Sequence, residues 1–164
     1  MINFGHGVML DTIEKATKAR TWRNNPDLNR YFRQSDLITE RHQLKWIEHI
    51  QTDPTICMYS IIQGIKCVGV CGLINIDPIH SKAEISCYTE DYKKPLLKKA
   101  IMTLIYHAFY DFDLHRLWGE IFEYNKTMIE VFEELNFKEE GRLKESYYKN
   151  GKYIDSIIFG LLRN

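Results

Sequence analysis

The chain has 164 residues, 45% of them hydrophobic, and its 22 Lys plus Arg offset 22 Asp plus Glu to a formal net charge of zero. Such a length can bury most of the unfolded surface around one core without disulfides or metal, and a single domain over residues 1–164 is expected. Balanced charge supplies no global field for nucleic acid or an anionic membrane, and no apolar run approaches the ~20 residues that span a bilayer, so the expectation is a cytoplasmic protein with no nucleic-acid or membrane partner.

The opening MINFGHGVML lacks a basic stretch followed by a long apolar core, so it does not read as a secretion signal. From about Leu10 to Trp22 the spacing predicts a helix, with Asp11 or Thr12 as N-cap and Glu14 in the first turn, stopped by Asn24-Asn25-Pro26. A second helix is expected from Glu40 to Gln51, capped by Thr39, with Leu44, Trp46 and Ile47 turned inward. The period then changes to two. Ile56 to Ile62, Lys66 to Ile76 and Ala83 to Thr89 read as an antiparallel meander with turns at Gly64 and Asp77-Pro78. Apolar residues from Leu96 to Phe112 recur at helical spacing, wide enough to pack on a sheet. His115 to Glu123 returns to strand and Lys126 to Leu135 to helix. Two last strands, Phe137 to Tyr147 and Tyr153 to Leu162, flank Asn150-Gly151, a strong hairpin pair. The class is α+β, a mixed, mostly antiparallel sheet of about six to seven strands with helices on both faces.

The long helix begins Tyr92-Lys93-Lys94-Pro95-Leu96-Leu97-Lys98-Lys99. Proline suits a first helical turn, whereas lysines there oppose the positive end of the dipole unless an anion lies between. A bound phosphate and a solvated basic helix end are the two readings. Asn125 either caps the helix that follows it or offers its amide to a ligand in a sheet crevice. Glu84, on the strand before the basic helix, either accepts a proton from an amine or faces solvent. An extended ligand with phosphates at one end, such as coenzyme A, suits a helix terminus beside a strand. Trp22-Arg23-Asn24-Asn25-Pro26 and Tyr31-Phe32-Arg33 could stack a ring and pair a phosphate, or anchor helices; Tyr147, Tyr148 and Tyr153 offer another wall. The histidines lack ligand spacing, so no metal is expected, and Cys57, Cys67, Cys71 and Cys87 read as small buried hydrophobes.

The element order and the phrases WRNNP, GVCGLINID, AEISCYTEDYKKP, DLHRLWGEI and YNKTMIEVFEELNFKEEGRLKESYYKNGKYIDSIIF resemble the GNAT acetyltransferase superfamily over nearly the whole chain. The branch they resemble holds ribosomal-protein N-terminal acetyltransferases and the amino-sugar-nucleotide acetyltransferases of pseudaminic acid biosynthesis. The resemblance implies the GNAT fold, acetyl-CoA as cosubstrate without metal, and a primary amine as acceptor. It implies that the pantetheine arm runs along Ile85, Cys87 and Tyr88, that the pyrophosphate lies near Lys93, Lys94, Leu96, Leu97 and Lys98, and that Asn125 stands near the arm. Glu84 is the implied catalytic base, directly or through water, and Trp22, Arg23 and Arg33 the implied acceptor contacts.

Two departures matter. The family's Arg/Gln-x-x-Gly-x-Gly/Ala loop is replaced by Tyr92-Lys93-Lys94-Pro95-Leu96-Leu97, which has no glycine to let backbone approach phosphate. Phe132 stands where many relatives carry a tyrosine that protonates the leaving thiolate. The expected function is acetylation of a nucleotide-linked amino sugar. A protein N-terminal amine is the alternative acceptor, a lapsed acyl-CoA-binding module the alternative class, and a homodimer stays open.

Overall fold

The computed structural model describes residues 1–2, 7–15, 17–34 and 36–164. In chain order its elements are β1 (Met9–Thr12), a 3-10 turn (Ile13–Lys15), α1 (Ala19–Asn24), α2 (Pro26–Asn29), α3 (Glu40–Thr52), β2 (Cys57–Gln63), β3 (Lys66–Asp77), β4 (Lys82–Thr89), α4 (Lys94–Tyr110), β5 (Arg116–Phe122), α5 (Lys126–Glu134), β6 (Lys138–Lys149) and β7 (Lys152–Leu162). The strands form one sheet in the order β1-β2-β3-β4-β5-β7-β6, antiparallel everywhere except between β4 and β5. This is the α+β arrangement expected, with seven strands.

The helix expected over 10–22 does not form as one piece. Met9–Thr12 instead extends the sheet, pairing Met9 with Ile62 and Thr12 with Tyr59, while the Ser60 hydroxyl donates to the Thr12 carbonyl at 2.7 Å. Leu10 is wholly buried there. An open edge on β2 gives this segment ladder bonds and a core position together, which outweighs its helical spacing. Helix begins only at Ala19 and breaks at Asn25, whose extended backbone ends α1 and whose side chain caps α2 by accepting from the Asp27 N–H at 3.0 Å. Thr39 caps α3 as expected, accepting from the His42 N–H at 3.2 Å. Leu44, expected to face inward on α3, is 56% exposed. Two residues along a helix is about 200° around it, and Trp46 with Ile50 takes the inward face.

The sheet separates two apolar layers. On one side α4 and α5 bring Leu97, Ala100, Ile101, Leu104, Met128, Val131 and Phe132 against Leu73, Ala83, Ile85, Leu117 and Ile121. On the other, Trp22, Leu28 and Ile50 of the early helices meet Val70 and Tyr88. Since side chains alternate along a strand, Ile85 and Cys87 of β4 look toward α4 and α5, and Glu84, Ser86 and Tyr88 look toward the early helices. Gly119 of β5 is demanded by this packing: a Cβ there would stand 2.7 Å from the Phe132 ring. Asn150 and Gly151 both take positive φ, 52° and 78°, as a type I′ hairpin requires.

The feature that positions the site is the seam between β4 and β5. Lys82, Ala83 and Glu84 pair in parallel with Arg116, Leu117 and Trp118, and no pairing follows. From Ile85 onward the two strands splay apart.

Candidate active site

The splay opens a cavity of about 300 Å³ between Ile85–Tyr88 and Gly119–Phe122. Each of these stretches keeps its outer neighbour, β3 for β4 and β7 for β5, so the inner edges present main-chain N–H and C=O groups without a strand partner. Such a slot accepts an extended ligand that bonds like an added strand.

On the early-helix side of the seam, two carboxylates converge. Glu84 is the last paired residue of β4, opposite Trp118, and Glu120 lies two residues beyond Trp118 on the same face. Glu84 is only 2% exposed. Its Oε2 accepts from Asn75 Nδ2 at 2.9 Å, and its Oε1 pairs with Arg33 Nη2. The same Arg33 nitrogen lies 3.2 Å from Glu120 Oε2, which also accepts from the Tyr147 hydroxyl at 3.0 Å, while Ser156 Oγ donates to Glu120 Oε1 at 2.5 Å. Burial disfavours the Arg33 charge, but the Glu84 hydrogen bond and the surrounding carboxylates outweigh it and hold the guanidinium above its ordinary range. Asn75 reaches Glu84 because the β3–β4 register breaks between Ile74 and Asp77, with Asn75 at φ 51°.

Arg33 belongs to the loop after α2, and that loop is fastened by Lys149 at the end of β6. The ammonium, on a residue only 5% exposed, donates to the carbonyls of Asn29 at 2.8 Å, Phe32, and Gln34 at 3.4 Å, and lies over the Phe122 ring. Burial, with Arg23 nearby, pushes the Lys149 pKa down. Arg23 packs over Phe32 and donates from Nη2 to Gln34 Oε1 at 3.0 Å, yet its buried Nε has no partner among the described residues.

At the other end of the slot, Asn125 both caps α5, accepting from the Met128 N–H at 3.3 Å, and donates from Nδ2 to the Tyr92 hydroxyl at 2.8 Å. Tyr92 stacks on Tyr31 with centroids 4.6 Å apart. Tyr92 therefore occupies the donor that an arm lying beside Asn125 would use. Replacing Tyr92 with Phe should free that amide and tighten acetyl-CoA binding by about two- to tenfold, the worth of one hydrogen bond; calorimetric titration measures it, and weaker binding would show that the Tyr92 hydroxyl itself holds the ligand.

The residues singled out from sequence divide into those that meet in the cavity and those that do not. Arg23, Arg33, Glu84, Ile85, Cys87, Tyr88 and Asn125 all line it. Trp22 is 7% exposed and packs with Leu28 and Tyr88 in the second apolar layer, away from the cavity wall. Leu97 is wholly buried under α4, and the N–H groups of Leu96 and Leu97 both bond the Lys93 carbonyl at 3.1 Å. Lys94 pairs with Glu130 and Glu134 at 2.8 Å, Lys98 with Glu134 at 2.6 Å, and Lys93 with Asp91 at 3.2 Å. Hydrogen bonds from Lys94 and Lys98 push the Glu134 carboxyl down to about 2. These lysine pairs are at least a third exposed, a setting where an ion pair is worth little and can be exchanged for another anion.

Sequence reasoning did not single out Glu120, Asn75, Tyr92 or Lys149 as site residues. Glu120 sits in RLWGEIF, which reads as an ordinary alternating strand; the one available signal is an acidic residue on the face shared with Trp118. Among the described residues no group of three or more His, Cys, Asp and Glu could hold a metal ion.

A slot between splayed parallel strands, with the Asn125 helix start at one end and buried carboxylates at the other, suits passage of an acyl group from a long extended donor to an amine. The chain belongs to the GNAT acetyltransferases: residues 12–158 match the family described as Acetyltransferase (GNAT) domain. It is an N-acetyltransferase, and acetyl-CoA is its cosubstrate. The chain is similar to the acetyltransferase PseH of Campylobacter jejuni, 24% identical over 131 residues that cover 77% of this chain and 79% of that protein. Its fold resembles that of spermidine N-acetyltransferase from Vibrio cholerae in complex with CoA and spermine, with a TM-score of 0.84 at 19% identity and 95% of both chains covered. It also resembles RimL, a ribosomal alpha-N-protein acetyltransferase, with a TM-score of 0.85 at 18% identity, covering 99% of this chain and 93% of that one.

Proposed function

We propose that the acceptor is the primary amine of a nucleotide-linked amino sugar, acetylated in the cytoplasm by a single domain spanning the chain. The observation that carries this reading is the company the carboxylates keep: Arg23 and Arg33 line the same cavity as Glu84 and Glu120. A molecule with an ammonium and a phosphate answers both signs of charge, and Tyr31 and Phe32 at the same wall supply faces for a base or sugar ring. A peptide N-terminus brings no phosphate for the guanidiniums to hold.

When bound, acetyl-CoA supplies an activated acetyl thioester. The inner edge Ile85–Tyr88 offers main-chain groups to its arm, and a backbone N–H of that edge would polarise the acyl oxygen. The fit at the phosphate end is through side chains: with Pro95 lacking an N–H and those of Leu96 and Leu97 occupied, Lys93, Lys94 and Lys98 are the available partners for a diphosphate. Glu84 Oε1, buried and aimed at the acceptor side, takes the proton that the amine must lose before it attacks. Holding two reactants in line supplies about 7 to 11 kcal/mol of barrier reduction, so a site with Phe132 in place of a tyrosine acid can still catalyse.

Release of free thiol from acetyl-CoA, measured with amino-sugar nucleotides and with N-terminal peptides, tests the proposal. Turnover of nucleotide-linked amines and none of peptides is expected. Preference for peptides would transfer the assignment to a protein N-terminus, and tight acetyl-CoA binding without turnover of either would mark a lapsed module.

A further inference from the structure

The contact between Arg33 and the two carboxylates is made by one atom. Nη2 pairs with Glu84 Oε1 and lies 3.2 Å from Glu120 Oε2, while Asn75, Ser156 and Tyr147 satisfy other lone pairs of the two glutamates. What remains between the carboxylates is a nest for a single cationic nitrogen. The carboxylates are fixed, with side-chain exposures of 3% and 10%, whereas the Arg33 side chain is 39% exposed and arrives from a loop. Arg33 is thus the member with a route to solvent that leaves the strands intact.

We propose that Arg33 is the site's own stand-in for the acceptor ammonium: in the free enzyme it fills the nest between Glu84 and Glu120, and an acceptor enters by exchange, its ammonium replacing the guanidinium while its phosphate receives the displaced Arg33. The exchange half rests on the acceptor reading above; the nest does not. Two buried carboxylates left facing each other without a cation are strongly unfavourable, so departure of Arg33 is coupled to arrival of another positive charge. The freed guanidinium has to be neutralised as well, and the Nε of Arg23, buried in the same wall with no partner among the described residues, is a second donor for the same anion. A plain amine can fill the nest but offers Arg33 nothing in return. Selection for amines that carry a phosphate follows from the exchange, without a rigid pocket for the rest of the molecule.

The nest is tested without turnover. Arg33→Ala should gain a binding site for methylguanidinium, seen as a rise of about 3 °C in melting temperature at saturating millimolar concentration. The wild type and the double variant Arg33→Ala with Glu120→Gln should not respond. No rise in a folded Arg33→Ala, or an equal rise in the wild type, overturns the nest; if Arg33→Ala does not fold, Arg33→Gln carries the same test. The exchange is tested by thiol release with UDP-glucosamine and free glucosamine, where Arg33→Ala should shrink the preference for the phosphate-bearing amine by about tenfold to a hundredfold. Equal loss on both substrates overturns the exchange and leaves Arg33 a structural ion pair. A methylguanidinium response with no turnover of any nucleotide-linked amine by the wild type overturns the acceptor reading and upholds the nest.

Discussion

Glu84→Gln should lower the rate of acetyl transfer by about 10²- to 10⁴-fold near neutral pH, the usual worth of a positioned base. The loss should shrink steeply above the pKa of the acceptor amine itself. Glutamine keeps the volume and can still meet Asn75, which stands 2.9 Å from Glu84 Oε2, so the variant leaves the packing and removes proton acceptance together with the charge that Arg33 pairs with. An amine that arrives protonated must shed its proton inside the site, whereas one already neutral in solution needs no base. Initial rates of both proteins across the pH range measure this. A deficit of the same size at every pH would mean that Glu84 orients the acceptor and that the proton leaves by another route.

Lys149→Met should lower the melting temperature by about 6 to 10 °C, corresponding to roughly 3 kcal/mol in a protein of this size. It should also raise the KM for the amine several-fold and leave the KM for acetyl-CoA unchanged. Methionine matches the aliphatic stem, but the carbonyls of Asn29, Phe32 and Gln34 all lose their donor. Those carbonyls belong to the segment that carries Arg33, so the loop on the proposed acceptor side loosens, while the edges of the slot are held by the ladders of β4 to β3 and of β5 to β7. A thermal scan and two substrate titrations decide it. Equal changes in both KM values would show that Lys149 supports the sheet as a whole instead of one wall.

Much of the fold was legible because its strongest patterns are local. The α4 stripe from Leu96 to Phe112, the period-two meander, and the Asn150-Gly151 turn each impose their structure within a few residues. The spacing of segment 10–22 fits a helix, and only the waiting edge of β2 converts Leu10 into a strand residue. The candidate cavity was legible where chemistry and element coincide, as for Glu84 before a splay and Asn125 at a helix start, both of which line it. It was illegible where partners come from afar. Arg33 and Glu84 are 51 positions apart, and Lys149 is 120 from Asn29, so nothing in the neighbourhood of either residue announces the pairing. Lysine beside an Asn-Gly turn reads as surface, and only the fold turns that end of the hairpin onto the early helices.

The three residue pairs that join β4 to β5 have a consequence for how the molecule holds together. To either side the strands are knitted by long antiparallel ladders, whereas across this line the sheet depends on a short stitch and on α4 and α5 laid over it. The protein is mechanically two leaves hinged at the mouth of that slot. A molecule lodged in the slot would bridge the leaves main chain to main chain, so occupancy should slow amide hydrogen exchange in Ile85–Tyr88 and Gly119–Phe122 together, as a single cooperative closing of the book.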